Sequence, residues 1–478
     1  MNWSDLEIVA PELFILAMGC LVLMLDLIVS ERRRGIIHLV SLLSLAFAAI
    51  ITLRGSGVIS GSAVTVFGDT FIRDPMADLL KVFAYATLAA VFFYARHYLR
   101  EFGLFRSEFY ALCLLALLGV MVLISAASLV TLYLGLELLS LSSYALVAMD
   151  RNSRRGSEAA MKYFVLGSMA SGLLLYGMSM MYGATGSLAL AEIAAAPMDH
   201  PVLLSVGLAF VVAAMAFKLG AVPFHMWVPD VYEGAPVAMT MFIGSVPKLA
   251  AFALLIRLLE GGFADMHAHW QSMLIMLAVL SIGLGNLVAI VQDNIKRMLA
   301  YSTISHMGFV LLGVLSGDSQ GYAAGMFYVM VYALMAAGAF GVVILLSARG
   351  VEAERLEDFK GLNQRSPWFA AVMAMLMFSM AGVPPFVGFF AKFQVIQAAV
   401  NSGLIWLAVF AVIFSVVGAF YYLRVIKLMY FDDAETEAVI DVPMDFRAAL
   451  SVNGLLQLGL GFFAGSLITA CLASFGAG

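Results

Sequence analysis

Four ionisable residues stand deep in apolar sequence: Glu137, Lys218, Lys248 and Lys392. A charge in hydrocarbon costs several kcal/mol unless it faces protein or water, and such residues mark proton or ion pathways by default. Glu137 lies in the middle of LVTLYLGLELLSLSSYALVA, where Tyr133, Glu137, Ser140 and Tyr144 recur at helical spacing as one polar stripe. Its alternative role is an ion pair that locks two helices. Lys218 precedes Pro223, which cannot donate to the carbonyl of Leu219, so a free carbonyl is expected beside the lysine. The partial negative charge at that helix end favours an ammonium. The bland reading of Lys218 is a side chain that snorkels to the surface.

Lys248 in GSVPKLAAFALLI and Lys392 in GFFAKFQVI are placed too far inside their segments to snorkel easily. Lys162 is nearer a segment end and four residues after Glu158, so an i,i+4 pair or snorkelling competes with a place in the pathway. His306 shares a face with Ser302 and Ser305, as a relay or as a satisfied core histidine. His225, just after Pro223, could relay protons or bond a freed carbonyl.

The elements that must hold these residues follow from composition. Of 478 residues, 63% are hydrophobic and 12% charged, and mean hydropathy is +0.99. A water-exposed globular surface cannot be made from so few charges. The chain reads as an all-α polytopic membrane protein with about fourteen spanning helices. The expected segments are 9–30, 36–53, 75–95, 108–126, 128–149, 158–183, 202–222, 237–260, 270–292, 298–316, 321–347, 367–398, 403–430 and 447–473.

Basic residues alternate between connections. Arg32 to Arg34, Arg96, Arg100, Arg106, Arg151, Arg154, Arg155, Lys296, Arg297, Arg349, Arg355, Lys360 and Arg365 fall on one side, and little beyond Arg54 and Arg73 on the other. That bias places both termini outside. Asp5 and Glu7 before the first apolar run argue for a retained first helix rather than a signal peptide.

Two runs, Val202 to Val228 and Trp368 to Val400, would be roughly 40 and 50 Å of helix, too long for single spans. Prolines 223, 384 and 385 break them in similar text, GAVPFHMW and AGVPPFVGF, offset by about 160 residues. The same offset relates Ser140 and Ser143 to Ser302 and Ser305. Paired broken helices point to a transporter built from repeats. Two five-helix halves, 108–260 and 270–430, each with an odd number of helices, would be inverted relative to one another. A three-helix segment at 1–107 and a C-terminal helix within 447–478 flank them.

Several chemistries are excluded. Cys20, Cys113 and Cys471 are far apart, with no CxxC pair or metal-ligand spacing. The GLG at 283–285 lies inside a spanning segment and follows no strand, so it is no dinucleotide fingerprint. No basic tract suggests nucleic acid. Asp78 and Lys81 read as an ordinary i,i+3 pair, and Asp26 as an interfacial charge near the Arg32 cluster.

With these lysines and the glutamate, PFHMWVPDVYEGAP, LAYSTISHMGF and GVPPFVGFFAKF make the chain resemble the antiporter-like membrane subunits of respiratory complex I, the proton-pumping NADH:quinone oxidoreductase. The likeness spans nearly the whole chain, strongest from Phe109 to Tyr430, and is nearest to the N-type subunit of bacteria. It implies a residence in the bacterial inner membrane, among other membrane-arm subunits and lipid. It further implies that Glu137 modulates Lys218, that Lys248 connects through His306 to Lys392, and that Lys162 is the helix-6 lysine of the family. The chain itself would bind no cofactor; NADH, FMN, iron–sulfur clusters and quinone would belong to partner subunits. The competing readings are a cation/proton antiporter, alone or multi-subunit, a related photosynthetic or ferredoxin-linked dehydrogenase subunit, and a membrane scaffold. A scaffold would not need so many buried lysines.

Overall fold

The computed structural model describes residues 3–30, 33–55, 63–347, 350–434 and 442–476. Arg32 and Arg349, two members of the basic series, lie outside the described residues. Each expected apolar segment has a helical counterpart, from Ala10–Ile28 through Ile405–Phe431 and Met444–Phe462. Ten stretches among the described residues are long and apolar enough to cross a membrane. One of them, 237–290, comprises two helices, Val237–Phe263 and His267–Ile290, joined by a short 3-10 turn. Ile295–Val314 opens with Lys296 and Arg297, and Pro367–Ala381 is shorter. A small hairpin, Val64–Val66 against Phe71–Arg73, precedes the Pro75–Glu101 helix.

Ser319–Leu346 is 94% buried along its apolar window, the highest share among the candidate spans of the described residues. In lipid the helices gain little from apolar burial alone, so close backbone approach matters more. Ser107–Ile124 and Leu129–Val147 meet at Gly119 and Gly135: a Cβ on Gly119 would lie 2.5 Å from the Leu139 nitrogen. Gly285 serves likewise between His267–Ile290 and Ile295–Val314, where a Cβ would lie 2.8 Å from the Ser305 nitrogen. These two contacts fix the helices that carry Glu137 and His306.

The two breaks begin earlier than the prolines. Pro201–Leu219 ends at Gly220, φ 79°, and Pro367–Ala381 at Gly382, φ 85°. In each, the glycine N–H bonds the carbonyl three residues back and the next N–H reaches five back: Gly220 to Phe217 and Ala221 to Ala216, Gly382 to Ser379 and Val383 to Phe378. This is the Schellman cap, and the left-handed glycine rather than the proline terminates the helix. The prolines come two or three residues later and keep the chain from resuming at once. The chain resumes as Trp227–Gly234 and Val387–Asn401.

The expected C-terminal span is not one helix. Met444–Phe462 and Ala464–Ala473 meet at 77°. The bend lies against the second break, where a Cβ on Gly461 would be 1.9 Å from the Pro385 carbonyl oxygen. Only glycine lets the two backbones approach that closely.

Candidate functional site

Leu129–Val147 carries Glu137 and Ser140 one turn apart. Lys218, in the last turn before Gly220, donates to Ser140 Oγ at 2.7 Å, and Ser140 in turn donates to the Leu136 carbonyl at 2.6 Å. The lysine therefore turns inward rather than snorkelling. Glu137 is half-buried; its Oε1 is sealed from solvent and has no hydrogen-bond partner. No cation lies within 4.0 Å of it among the described residues, so a locking ion pair is not formed within this chain. Ser140, the group that holds Lys218, lies one turn after Glu137 on the same helix.

The freed carbonyl at the first break does not go to Lys218. The buried Lys248 donates to Leu219 O at 2.8 Å, with its ammonium 5.4 Å from the Trp227 ring centroid. Trp227 is held by its own N–H bond to Phe217 O at 2.9 Å and by stacking on Tyr163 at 4.6 Å. Lys248 thus takes up the negative end of the broken helix. Ser140, Lys218, Trp227 and Lys248, with Leu123 and Leu254, line a cavity of about 30 Å³. That is room for one or two waters between polar groups.

The second break repeats this chemistry. Lys392 donates to Ala381 O at 2.9 Å, the residue before Gly382, and to Ser415 Oγ at 2.9 Å, and its ammonium lies 5.1 Å from the Phe309 ring centroid. In donating to the carbonyl just before the terminating glycine, Lys392 matches Lys248 and not Lys218. His306 is engaged on both ring nitrogens, Nδ1 with Tyr328 Oη at 2.7 Å and Nε2 with Tyr422 Oη at 3.0 Å. Tyr422 also bonds Ser302, while Asn286 links Ser305 at 2.8 Å to Tyr421 at 3.0 Å. His306 is satisfied, and satisfied by groups that can both give and take a proton.

Other expected residues are more peripheral. Tyr133 is half-buried; the Tyr144 hydroxyl is buried without a partner, its ring edge-on to Tyr163 at 4.6 Å. His225 is half-buried beside the Pro223 backbone. Lys162 forms the i,i+4 pair with Glu158 at 2.9 Å and a second with Asp230 at 2.8 Å, at 42% side-chain exposure. It is not among the residues that line the Lys218–Lys248 cavity. It belongs to a surface network in which Arg297 bridges Asp230 and Glu233, and Arg155 joins Glu233 and Glu354.

Sequence reasoning overlooked several groups. Lys296, counted only as a loop charge, is buried and pairs with Glu352 at 2.6 Å and Glu354 at 3.1 Å while donating to Ala235 O at 3.1 Å. Glu352 also accepts from Tyr98 Oη and from Val237 N. Burial pushes the Glu352 carboxyl up, yet Lys296 and these donors hold it below the usual carboxylate range. Lys81 pairs with Glu12 at 2.6 Å, and Asp78 receives Arg73 at 3.1 Å, so this is a buried ionic group and not an ordinary helix pair. Asp26 faces Arg34 at 3.6 Å, as the interfacial reading expects. Ser415, Tyr421 and Tyr422 were legible as polar residues inside an apolar segment. Among the described residues no group of three His, Cys, Asp or Glu side chains could hold a metal ion.

Broken helices that present buried lysines to their free carbonyls define a helical membrane protein of the antiporter-like, ion-translocating class. Residues 126–418 match the family described as NADH:quinone oxidoreductase/Mrp antiporter, TM. NADH-quinone oxidoreductase subunit N of Thioalkalivibrio sulfidiphilus is 55% identical over 471 residues, 97% of each chain, and that of Thiobacillus denitrificans 56% over 469 residues, 98% of this chain and 96% of its own. The chain belongs to this family, in the branch of the N subunits. A chain of respiratory complex I from Thermus thermophilus with bound aureothin superposes with a TM-score of 0.82 at 31% identity, over 97% of this chain and 99% of that one. A chain of the Mrp complex of Dietzia shares the fold, with a TM-score of 0.85 at 22% identity over 99% and 97% of the two chains.

Proposed function

We propose that the chain is a proton-translocating membrane-arm subunit of a bacterial NADH:quinone oxidoreductase, moving protons along Glu137, Lys218, Lys248 and Lys392 in step with quinone reduction in partner subunits. The observation that carries this reading is the seating of Lys248 on Leu219 O and of Lys392 on Ala381 O, each at a broken helix. A helix-end carbonyl accepts from an ammonium or from a neutral amine, so each lysine can give up and regain its proton without losing its place. Glu137 sets how tightly Lys218 holds its proton. Two unit charges about 5 Å apart at an effective dielectric of about 20 interact by roughly 3 kcal/mol, so a modest separation redistributes protons toward Lys248. His306, bonded to Tyr328 and Tyr422, carries the connection toward Lys392; Tyr133, Tyr144 and His225 flank the route, and Lys162 joins its inner margin.

In this reading the chain crosses the bacterial inner membrane fourteen times with both termini outside. Residues 108–260 and 270–430 are inverted repeats, preceded by a three-helix segment and followed by the bent C-terminal pair Met444–Phe462 and Ala464–Ala473. FMN, iron–sulfur clusters, NADH and quinone are handled by other chains.

Deleting the chain tests the assignment. Inner membranes lacking it are expected to lose NADH-driven acidification and most quinone-dependent NADH oxidation. Membranes that oxidise NADH and acidify like the parent would overturn it.

A further inference from the structure

Apart from the central series, a second group of charges is buried where the first helices meet the hairpin and Pro75–Glu101. Glu12, in the first turn of Ala10–Ile28, and Lys81 form an ion pair at 2.6 Å with side-chain exposures of 7% and 1%. Beside it Arg73 Nε donates to Asp78 at 3.1 Å, and Arg73 also donates to the Thr52 carbonyl at 2.7 Å. The Tyr85 hydroxyl, one turn after Lys81, meets Thr52 Oγ1 at 3.2 Å. Arg257 grips Asp74 with both arms, at 2.6 and 2.8 Å. Three acids and three bases thus occupy one buried region.

Two observations set this group apart from structural glue. Among the described residues no donor apart from Lys81 reaches either carboxylate oxygen of Glu12, although the side chain is buried and a carboxylate can accept about four hydrogen bonds. A pair kept for stability alone is served as well by apolar side chains. The second observation is position. The Lys218–Lys248 cavity is lined by Leu123 and Leu254. The residue after Leu123, Ile124, accepts from Arg257 Nε at 2.9 Å. Arg257 itself is three residues past Leu254, about 4.5 Å along the same helix. The ionic group therefore begins about one turn beyond the cavity.

We propose that the Glu12–Lys81 pair is a second proton-holding site, which receives protons from the Lys248 cavity and releases them at the Pro75 end of the Pro75–Glu101 helix. The inference rests on the proton-translocating reading above. The Lys81 ammonium passes its proton to the Glu12 carboxylate, leaving an amine and a carboxylic acid. The acid releases that proton to water, and the amine takes the next one from the Lys248 side. Asp78, Arg73, Asp74, Arg257 and Tyr85 face the pair and keep their charges balanced around it.

Two variants test this while keeping side-chain volume. Lys81→Arg preserves the charge and the pair, but a guanidinium does not release its proton. Glu12→Gln cannot accept one. Assembly is read from the abundance of the complex in inner membranes, and function from protons translocated per NADH oxidised, with Lys218→Ala in parallel. The expected result is that the variants assemble and lose the same share of translocated protons as Lys218→Ala. Either assembled variant keeping the parental ratio overturns the proposal, as does failure of both to assemble, which makes the pair structural. Were Lys218→Ala also to keep the parental ratio, the failure would lie with the translocation reading itself.

Discussion

Replacing Lys248 by leucine is expected to lower NADH-driven proton translocation by about tenfold or more, the scale of losing a positioned proton-transfer group. The side chain is buried, its only hydrogen bond among the described residues is to Leu219 O, and its ammonium faces the Trp227 ring. Leucine fills similar volume, so the helix should remain packed. It leaves Leu219 O without its donor and, among the described residues, the cavity with Lys218 as its one remaining lysine. The check is acidification of inverted membrane vesicles on NADH, normalised to assembled complex. Acidification at the parental level would mean that protons bypass Lys248.

The second large effect is on stability. Lys296→Met removes the cation from Glu352, whose carboxylate then retains, among the described residues, the Tyr98 hydroxyl and the Val237 N–H. Breaking one side of a buried pair costs about 3–5 kcal/mol, and the purified complex or subunit should melt measurably earlier. The pH dependence carries a sign. In the parent, the Glu352 carboxyl is held below its usual value, so its stabilisation is complete above the unfolded value and is lost as pH falls through the folded one. In the variant, burial without Lys296 favours the protonated acid. The gap in melting temperature between parent and variant is therefore widest near neutrality and narrows as pH approaches about 4. A gap that stays constant with pH would show that Lys296 acts by packing alone.

Much of this architecture was legible in the sequence because hydrocarbon imposes simple rules. A twenty-residue apolar run reads as a helix, and Glu137, Lys218, Lys248 and Lys392 stand out against it. The breaks were visible through prolines 223, 384 and 385, although Gly220 and Gly382 were the better signals for where the helices end. What escaped was pairing across long sequence separation. Lys81 finds Glu12 through the packing of two helices, and Lys296 finds Glu352 through a returning loop. Neither partner is marked by local spacing. The expected free carbonyl at Leu219 was correct as backbone chemistry, but only the tertiary fold brings Lys248 to it rather than Lys218. The bend before Ala464 escaped for a similar reason, since the close approach of Gly461 to Pro385 is invisible in either stretch alone.

The central claim is that a proton held by Lys218, seated on Ser140 one turn from Glu137, belongs to the translocation route. Its most direct test is Lys218→Ala in inner-membrane vesicles, with protons translocated per NADH oxidised measured on assembled complex. The account predicts a lower ratio, with the complex still present in the membrane. A parental ratio in the alanine variant would contradict it.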